Sequence, residues 1–213
     1  MPRTPTSRIQ VQADRREGRP RGLTLIELLL VVALFGVLAA VSAPSIATYL
    51  ARKRVDGTAQ EFATTVRYAR ALQLQSPQRA LRVFLGISSG TGFSCAGVYM
   101  ANDHSTCDCG RATNLCNTIA LFTVQPEMLR MIRLPTADGV SIANAGTDSF
   151  LRFDELTALP YPIGANSIMM SSIISSSRGG SLRVDIGPTG MPVICEIRTT
   201  GQPVLHPTYG ACT

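Results

Sequence analysis

One acidic residue stands inside the most apolar stretch of the sequence. From Leu23 to Ala43 the chain is apolar except for Thr24, Glu27 and Ser42. An ionised carboxylate near the middle of a membrane span costs roughly 2.5–3.5 kcal/mol, so ionisable groups in such runs are functional candidates. The chemistry that suits Glu27 is pairing with a positive group. A hydrated position at the interface, one helical turn from the end of the run, is the alternative.

The run itself predicts a membrane-spanning helix over residues 23–43. Its length of 21 residues corresponds to ~31 Å of helix at ~1.5 Å per residue, which crosses the hydrocarbon core of a bilayer. A core helix of a soluble domain is rarely apolar on all sides over such a length. A secretory signal peptide is disfavoured because its apolar region is shorter, about 7–15 residues. Pro44 would also directly follow the small residues that imitate its cleavage site.

The residues before the run are strongly basic. Residues 1–22 carry a net charge of +4 out of the chain's +6. A basic start before an apolar run is typical of a targeting segment, and the positive-inside rule keeps it in the cytoplasm. A smaller basic cluster after the run, Arg52 to Arg54, opposes this orientation weakly. The basic residues of the leader are Arg3, Arg8, Arg15, Arg16, Arg19 and Arg21.

Six cysteines are the other residues whose chemistry the sequence raises. All follow the apolar run, and an even number in an extracytoplasmic segment predicts disulfide bonds, with 15 connectivities if all six pair. We favour Cys195–Cys212, which joins the C-terminal tail to the last strand, and expect the other four to staple the loop beginning at Cys95. A Cys107–Cys109 bridge would close too tight a ring. The six are Cys95, Cys107, Cys109, Cys116, Cys195 and Cys212.

Metal binding and catalysis have weaker support. His104 with Cys107, Cys109 and Cys116 offers zinc ligand types without the paired C-x2-C spacing. The acidic residues of the same segment lack the EF-hand pattern for calcium. The two histidines belong to no nucleophile or metal signature. We therefore expect no metal, no cofactor and no enzymatic activity.

A long helix and a sheet must position these residues. Beyond Pro44, where we expect a kink, apolar residues recur at three- and four-residue steps, which predicts an amphipathic helical face. Pro77 disfavours helix in the residue before it, so we predict one helix over residues 23–76. The apolar positions of its second half are Ala59, Phe62, Val66, Ala69 and Leu72.

After Pro77 the sequence consists of short apolar segments separated by Gly, Pro, Ser and Asn, a pattern that predicts strands. We expect an α+β fold, in which the helix packs on one antiparallel sheet in a single head over residues 77–213. The strands are predicted near Ala80–Ile87, Ile119–Val124, Met128–Leu134, Phe150–Phe153, Ile168–Ser175, Leu182–Ile186 and Met191–Arg198.

The stretch "RGLTLIELLLVVALFGVLAAVSAPS" resembles the N-terminal signature of type IV prepilins and type II secretion pseudopilins. The resemblance implies cleavage by a prepilin peptidase after Gly22, N-methylation of Leu23 and a helix kink at Pro44. Leu23 stands where the family usually has phenylalanine. The resemblance also implies that Glu27 of one subunit pairs with the Leu23 amine of a neighbour, which fixes the axial register. Paired charges offset each other in apolar surroundings.

Two segments of the head, "FATTVRYARALQLQSPQRALRVFLG" and "SLRVDIGPTGMPVIC", resemble the FimT/GspH family of minor pilins and pseudopilins. This resemblance implies a minor pilin that helps to prime assembly of a type IV pilus with other pilins. It would be anchored in the inner membrane with a periplasmic head and then enter the filament. A GspH-like pseudopilin of a type II secretion system is the alternative.

A third alternative is a DNA-binding pilin for natural transformation. Some FimT proteins bind DNA through a Gly-Arg-x-Arg motif in the last turn, but the corresponding residues here are Gly190 to Val193, without arginine. Arg178 and Arg183, which flank two glycines in "SRGGSLR", are the best remaining candidates for a phosphate-binding patch. No aromatic stacking partners interleave them, so we expect no specific DNA binding.

Overall fold

The computed structural model describes residues 24–75, 81–117, 125–146, 149–161, 169–198 and 204–212. The chain divides into two compact units, residues 1–42 and 43–213. The described elements are α1 (Leu25–Gln75), β1 (Arg82–Gly90), β2 (Phe93–Ala101), β3 (Glu127–Pro135), β4 (Val140–Asn144), β5 (Phe150–Arg152), β6 (Met170–Ser176), β7 (Gly180–Ile186) and β8 (Pro192–Glu196), with short 3-10 turns at His104–Thr106 and Thr136–Asp138.

In the first unit, helix α1 begins immediately after Thr24. The hydroxyl Oγ1 of Thr24 accepts a hydrogen bond from the backbone N–H of Glu27 at 3.3 Å, and the Thr24 carbonyl accepts one from Leu28 at 3.2 Å. The first contact satisfies an N–H group that the first turn of a helix leaves without a partner, and the second is the first i→i−4 bond of the helix. Thr24 is therefore the N-cap of α1.

In the second unit, one face of α1 lies in the hydrophobic core. Val55, Ala59, Phe62, Val66 and Ala69 are all fully buried, and Leu72 packs partly buried against the same cluster. Their spacing of three and four residues keeps them on one side of the helix. The predicted apolar face is confirmed, with Val55 as an additional residue one turn earlier.

The head contains two antiparallel sheets where the sequence predicted one. Their strand orders are β3-β2-β1-β5 and β4-β6-β7-β8. Buried and half-buried residues alternate along β6 and β7, as expected of a sheet with one face in the core. Residues of both sheets and of α1 share one hydrophobic cluster, so the α+β fold class is confirmed while the sheet is divided.

Strand β2 corrects the prediction that the cysteine-rich segment is a loop from Cys95 onward. All nine residues of β2 are buried. Ala96 and Val98 face the main core, whereas Cys95 and Tyr99 pack on the other face, in smaller clusters with Cys109 and Cys107. Because both faces are covered, β2 shows none of the alternation of polar and apolar residues that reveals a half-buried strand.

The remaining strand predictions have mixed outcomes. Strands β1, β3, β5, β6, β7 and β8 coincide with predicted segments to within a few residues, although β8 (Pro192–Glu196) is shorter than predicted. The short strand β4 was missed. The segment Ile119–Val124 lies outside the described residues. Helix α1 is described as far as Gln75, and Ser76, its predicted last residue, lies outside the described residues.

Candidate functional site

The first candidate site is the N-terminal part of α1, where Glu27 lies in the first helical turn. A carboxylate there interacts favourably with the partial positive charge of the helix N-terminus. Thr24 and Glu27 also have the T-x-x-E spacing of a capping box, a sequence signal that was available and was missed. Within the described residues, no positive group forms an ion pair with Glu27, so its carboxylate is free for a partner outside them.

The apolar surface around Glu27 is exposed on every side of the helix. All side chains of residues 24–43 are exposed, including Leu25 at 78% and Phe35 at 65%. The hydroxyl of Ser42 donates to the Leu38 carbonyl at 2.8 Å, so this polar group is satisfied within the helix. An apolar surface of this extent needs lipid or other apolar chains to cover it.

Among the described residues, α1 is long and apolar enough to cross a membrane, judged by length and composition. Helical structure continues on both sides of Pro44, and the kink there stays a prediction. Gly22 and Leu23, the predicted cleavage and methylation sites, lie outside the described residues.

The six cysteines form three disulfides. Cys195 is bonded to Cys212, which is the pairing that the sequence favoured, and Cys95 to Cys109 and Cys107 to Cys116. The Cys95–Cys109 bond joins residues 102–117 to β2, and the Cys107–Cys116 bond closes a loop within that segment. Because each of their sulfur atoms is in a disulfide, Cys107, Cys109 and Cys116 do not have the free thiolates that a zinc site requires.

The disulfide-bonded segment and the sheet enclose a cleft of about 190 Å³. His104 stacks on Phe150 with ring centroids 3.9 Å apart. The Tyr99 hydroxyl donates to the His104 carbonyl at 3.0 Å. Burial, with smaller contributions from the carboxylates of Asp108 and Asp103, raises the pKa of Tyr99 far above its usual value. These polar groups are engaged in structural contacts, and the described residues form no group of three or more metal-ligating side chains.

The two arginines of the candidate phosphate-binding patch line different clefts. Arg178 is exposed in the turn between β6 and β7 and lines a groove beside α1 with Arg54. Arg183 is half-buried on β7, where its Nε donates to Asp185 at 2.9 Å, and it lines another cleft with Cys212. The sequence suggested one shared patch only because the two arginines are five positions apart in the chain.

A buried polar cluster, missed in the sequence, attaches the C-terminal tail to the head. His206 is 2% exposed, with Nε2 2.8 Å from the Gly179 carbonyl and Nδ1 3.0 Å from Asp56 Oδ1. A carbonyl can only accept, so Nε2 carries a proton and donates it. The turn at Gly179 lies so close to α1 that a Cβ there would approach the Ala51 carbonyl oxygen to 2.6 Å.

Glu196 organises the other side of the same tail. Its carboxylate accepts the backbone N–H groups of Leu205 at 2.7 Å and His206 at 2.9 Å, and Arg198 donates to it at 2.6 Å. Burial by itself would raise the pKa of Glu196, but these hydrogen bonds hold the pKa below its usual value. Only the contacts of His206 with Gly179 and Asp56 join residues too far apart in sequence for a local motif to reveal them.

Comparison with known proteins gives one family match and two curated relatives. The family described as "Prokaryotic N-terminal methylation motif" matches residues 19–43. Both relatives are described as type IV major fimbrial protein FimA of Dichelobacter nodosus. One is 33% identical over 88 residues, which is 41% of this chain and 54% of the relative. The other is 32% identical over 91 residues, which is 43% of this chain and 58% of the relative.

The chain thus spans a little more than half the length of these curated relatives. No solved structure matches it significantly. The long apolar helix followed by antiparallel sheets agrees with the α+β fold that the sequence predicted. The methylation motif, the apolar helix that carries it and the similarity to two type IV fimbrial proteins identify this chain as a type IV pilin-like protein.

Proposed function

We propose that this protein is a minor subunit of a type IV pilus that helps to start filament assembly. The observation that carries the proposal is the methylation motif over residues 19–43, which includes the capped first part of α1, where all side chains of residues 24–43 are exposed. Before assembly, such a helix anchors the protein in the inner membrane with its head in the periplasm. In the filament, the same helix packs in a bundle of similar helices.

Glu27 is the residue that makes this bundle specific. A prepilin peptidase would cut after Gly22 and methylate the new amine of Leu23. In an apolar bundle that amine and the Glu27 carboxylate of a neighbour are each costly alone and offset each other when paired. The pairing works only when the neighbouring helices lie at one axial offset, so the charge pair sets the register.

Assignment as a minor subunit rests on the resemblance of two head segments to the FimT/GspH family, while the matched relatives are named as major fimbrial proteins. Quantitative mass spectrometry of filaments sheared from cells separates these roles. A minor subunit is present at a small fraction of the principal pilin, and a major subunit dominates. A secretion pseudopilin is absent from the sheared filaments and is needed for export instead.

Processing at Gly22 is the first prediction. We expect the protein extracted from membranes to begin at N-methylated Leu23, because the motif around Gly22 is that of a peptidase substrate. Intact-mass analysis measures this start directly. A bulky residue in place of Gly22 should block cleavage and retain the leader. A mature chain that begins at Pro44, or an uncut chain in a cell with active peptidase, would contradict the proposal.

Weak nucleic-acid binding is the second prediction. Arg178 and Arg183 line different clefts and Arg183 is paired with Asp185, so few phosphates can be neutralised at one place. We expect the chain in detergent to bind duplex DNA no better than ~10⁻⁴–10⁻⁶ M at physiological salt. Fluorescence anisotropy tests this. Sub-micromolar binding that is abolished in the Arg178→Ala, Arg183→Ala double variant would place the protein among DNA-uptake pilins.

A further inference from the structure

A groove of about 370 Å³ lies beside the part of α1 that follows the apolar run. On the helix side it is lined by Ala47, Leu50, Ala51 and Arg54, and on the opposite side by Ser176 to Arg178 and the turn Ala137 to Gly139. All of these residues belong to the second compact unit. The volume is within the range of ~300–1,000 Å³ typical of sites for small ligands.

The groove carries one arginine on each side, Arg54 on the helix side and Arg178 on the facing turn. Arg54 donates from Nη1 to the carbonyl of Asp138 at 3.3 Å, which holds the guanidinium at the groove. Arg178 is exposed at the facing turn. Within the described part of the chain, neither arginine forms an ion pair with a carboxylate, although the Asp138 side chain also belongs to the lining. Guanidinium groups and serine hydroxyls at one place suit the oxygens of a phosphate group.

Apart from Arg54, the helix side of the groove is apolar. Leu50 is 49% exposed, and Ala47 and Ala51 are half-buried beside it. Ala47 follows the last residue of the apolar run, Ala43, by one helical turn in sequence. A free phosphate or a nucleic acid backbone has no apolar part that could contact these residues. An amphiphile with an anionic head and an acyl chain can contact both the arginines and the apolar residues.

We propose that the groove binds the headgroup of an anionic phospholipid, with the phosphate at Arg54 and Arg178 and the upper acyl chain along Leu50. The inference rests on the membrane anchoring proposed above. Arg52 and Lys53, next to Arg54 in the sequence, add positive charge that favours an anionic over a zwitterionic membrane surface. The site holds the subunit at the bilayer before it enters a filament.

The test uses the full chain in a nonionic detergent. The sequence contains no tryptophan, so Leu50→Trp provides one fluorescent reporter in the groove. Acyl-brominated phosphatidylglycerol or phosphatidylcholine is added, and quenching of the tryptophan reports an acyl chain beside position 50. We expect phosphatidylglycerol to quench at a lower mole fraction than phosphatidylcholine, and added salt to reduce this preference.

Removing the arginines should weaken phosphatidylglycerol binding by about fivefold for each charge. Arg54→Gln and Arg178→Gln, singly and together, therefore lose about fivefold and about 25-fold, while the loss for phosphatidylcholine is smaller because its headgroup carries no net charge. Arg67→Gln is the matched control, because it removes the same charge from an exposed position of α1 outside the groove, and it should change binding less than twofold. A cooperative urea unfolding transition of each variant, measured by tyrosine fluorescence in the same detergent, confirms that it is folded.

Several outcomes would overturn the inference. These are equal quenching by the two lipids, an equal loss in Arg67→Gln, or displacement of phosphatidylglycerol by millimolar inorganic phosphate or by duplex DNA. Membrane insertion is measured separately, as resistance of the full chain to alkaline carbonate extraction from cells. A chain that fails that assay contradicts the proposed anchoring, whereas lipid binding in detergent still reports on the groove itself.

Discussion

Replacing Glu27 by leucine should leave membrane insertion intact or improved and should reduce incorporation into filaments at least tenfold. Removal of a carboxylate from an apolar segment lowers the free-energy cost of membrane insertion, so anchoring becomes more favourable. The neighbour's Leu23 amine then lacks its partner in the assembled bundle, and an uncompensated buried charge costs roughly 3–5 kcal/mol. Crosslinking between this chain and its partner pilins in whole cells measures incorporation.

Glu61→Leu is the matched control for this experiment. Glu61 is an exposed acidic residue on the same helix, and its replacement removes the same charge from the region outside the apolar run. We expect normal crosslinking for Glu61→Leu. Undiminished crosslinking for Glu27→Leu would show instead that Glu27 is a hydrated residue at the membrane interface. Its backbone N–H would then serve only in the Thr24 cap of the helix.

Replacing His206 by alanine should destabilise the head by about 3 kcal/mol, the second large effect that we expect. The substitution removes a buried ring and leaves the Gly179 carbonyl without its donor; large-to-small core changes cost about 2–5 kcal/mol, and an orphaned buried acceptor costs about 1–3 kcal/mol. It also removes the partner of Asp56. Urea unfolding of the full chain in detergent, followed by tyrosine fluorescence under non-reducing conditions, measures the difference.

His104→Ala is the control for His206→Ala, because the side chain of His104 is 47% exposed and lies in the segment held by two other disulfides. We expect a change below about 1 kcal/mol for it, as for most exposed substitutions. If the two variants lose equal stability, the Asp56–His206–Gly179 cluster does not stabilise the attachment of the tail. The Cys195–Cys212 bond would then be sufficient to hold it.

Features that depend on neighbouring residues were predictable from the sequence. The apolar run, the face of α1 with Phe62 and Val66, and the strands with clear alternation, such as β7, all follow from helix and strand periodicity. The Thr24 cap could have been found from the T-x-x-E spacing. Strand β2 could not be found from periodicity, because a disulfide-bonded segment covers Cys95 and Tyr99 on its outer face.

The sequence by itself determined that this chain is pilin-like, because the basic residues before the apolar run, Glu27 and the run itself lie within one continuous stretch. Only the tertiary structure decided which cysteines pair, that Arg178 and Arg183 line separate clefts, and that Asp56 meets His206 across 150 residues. These contacts depend on how two sheets and a helix close around one core. Long-range packing of that kind leaves no periodic trace in the residues that it brings together.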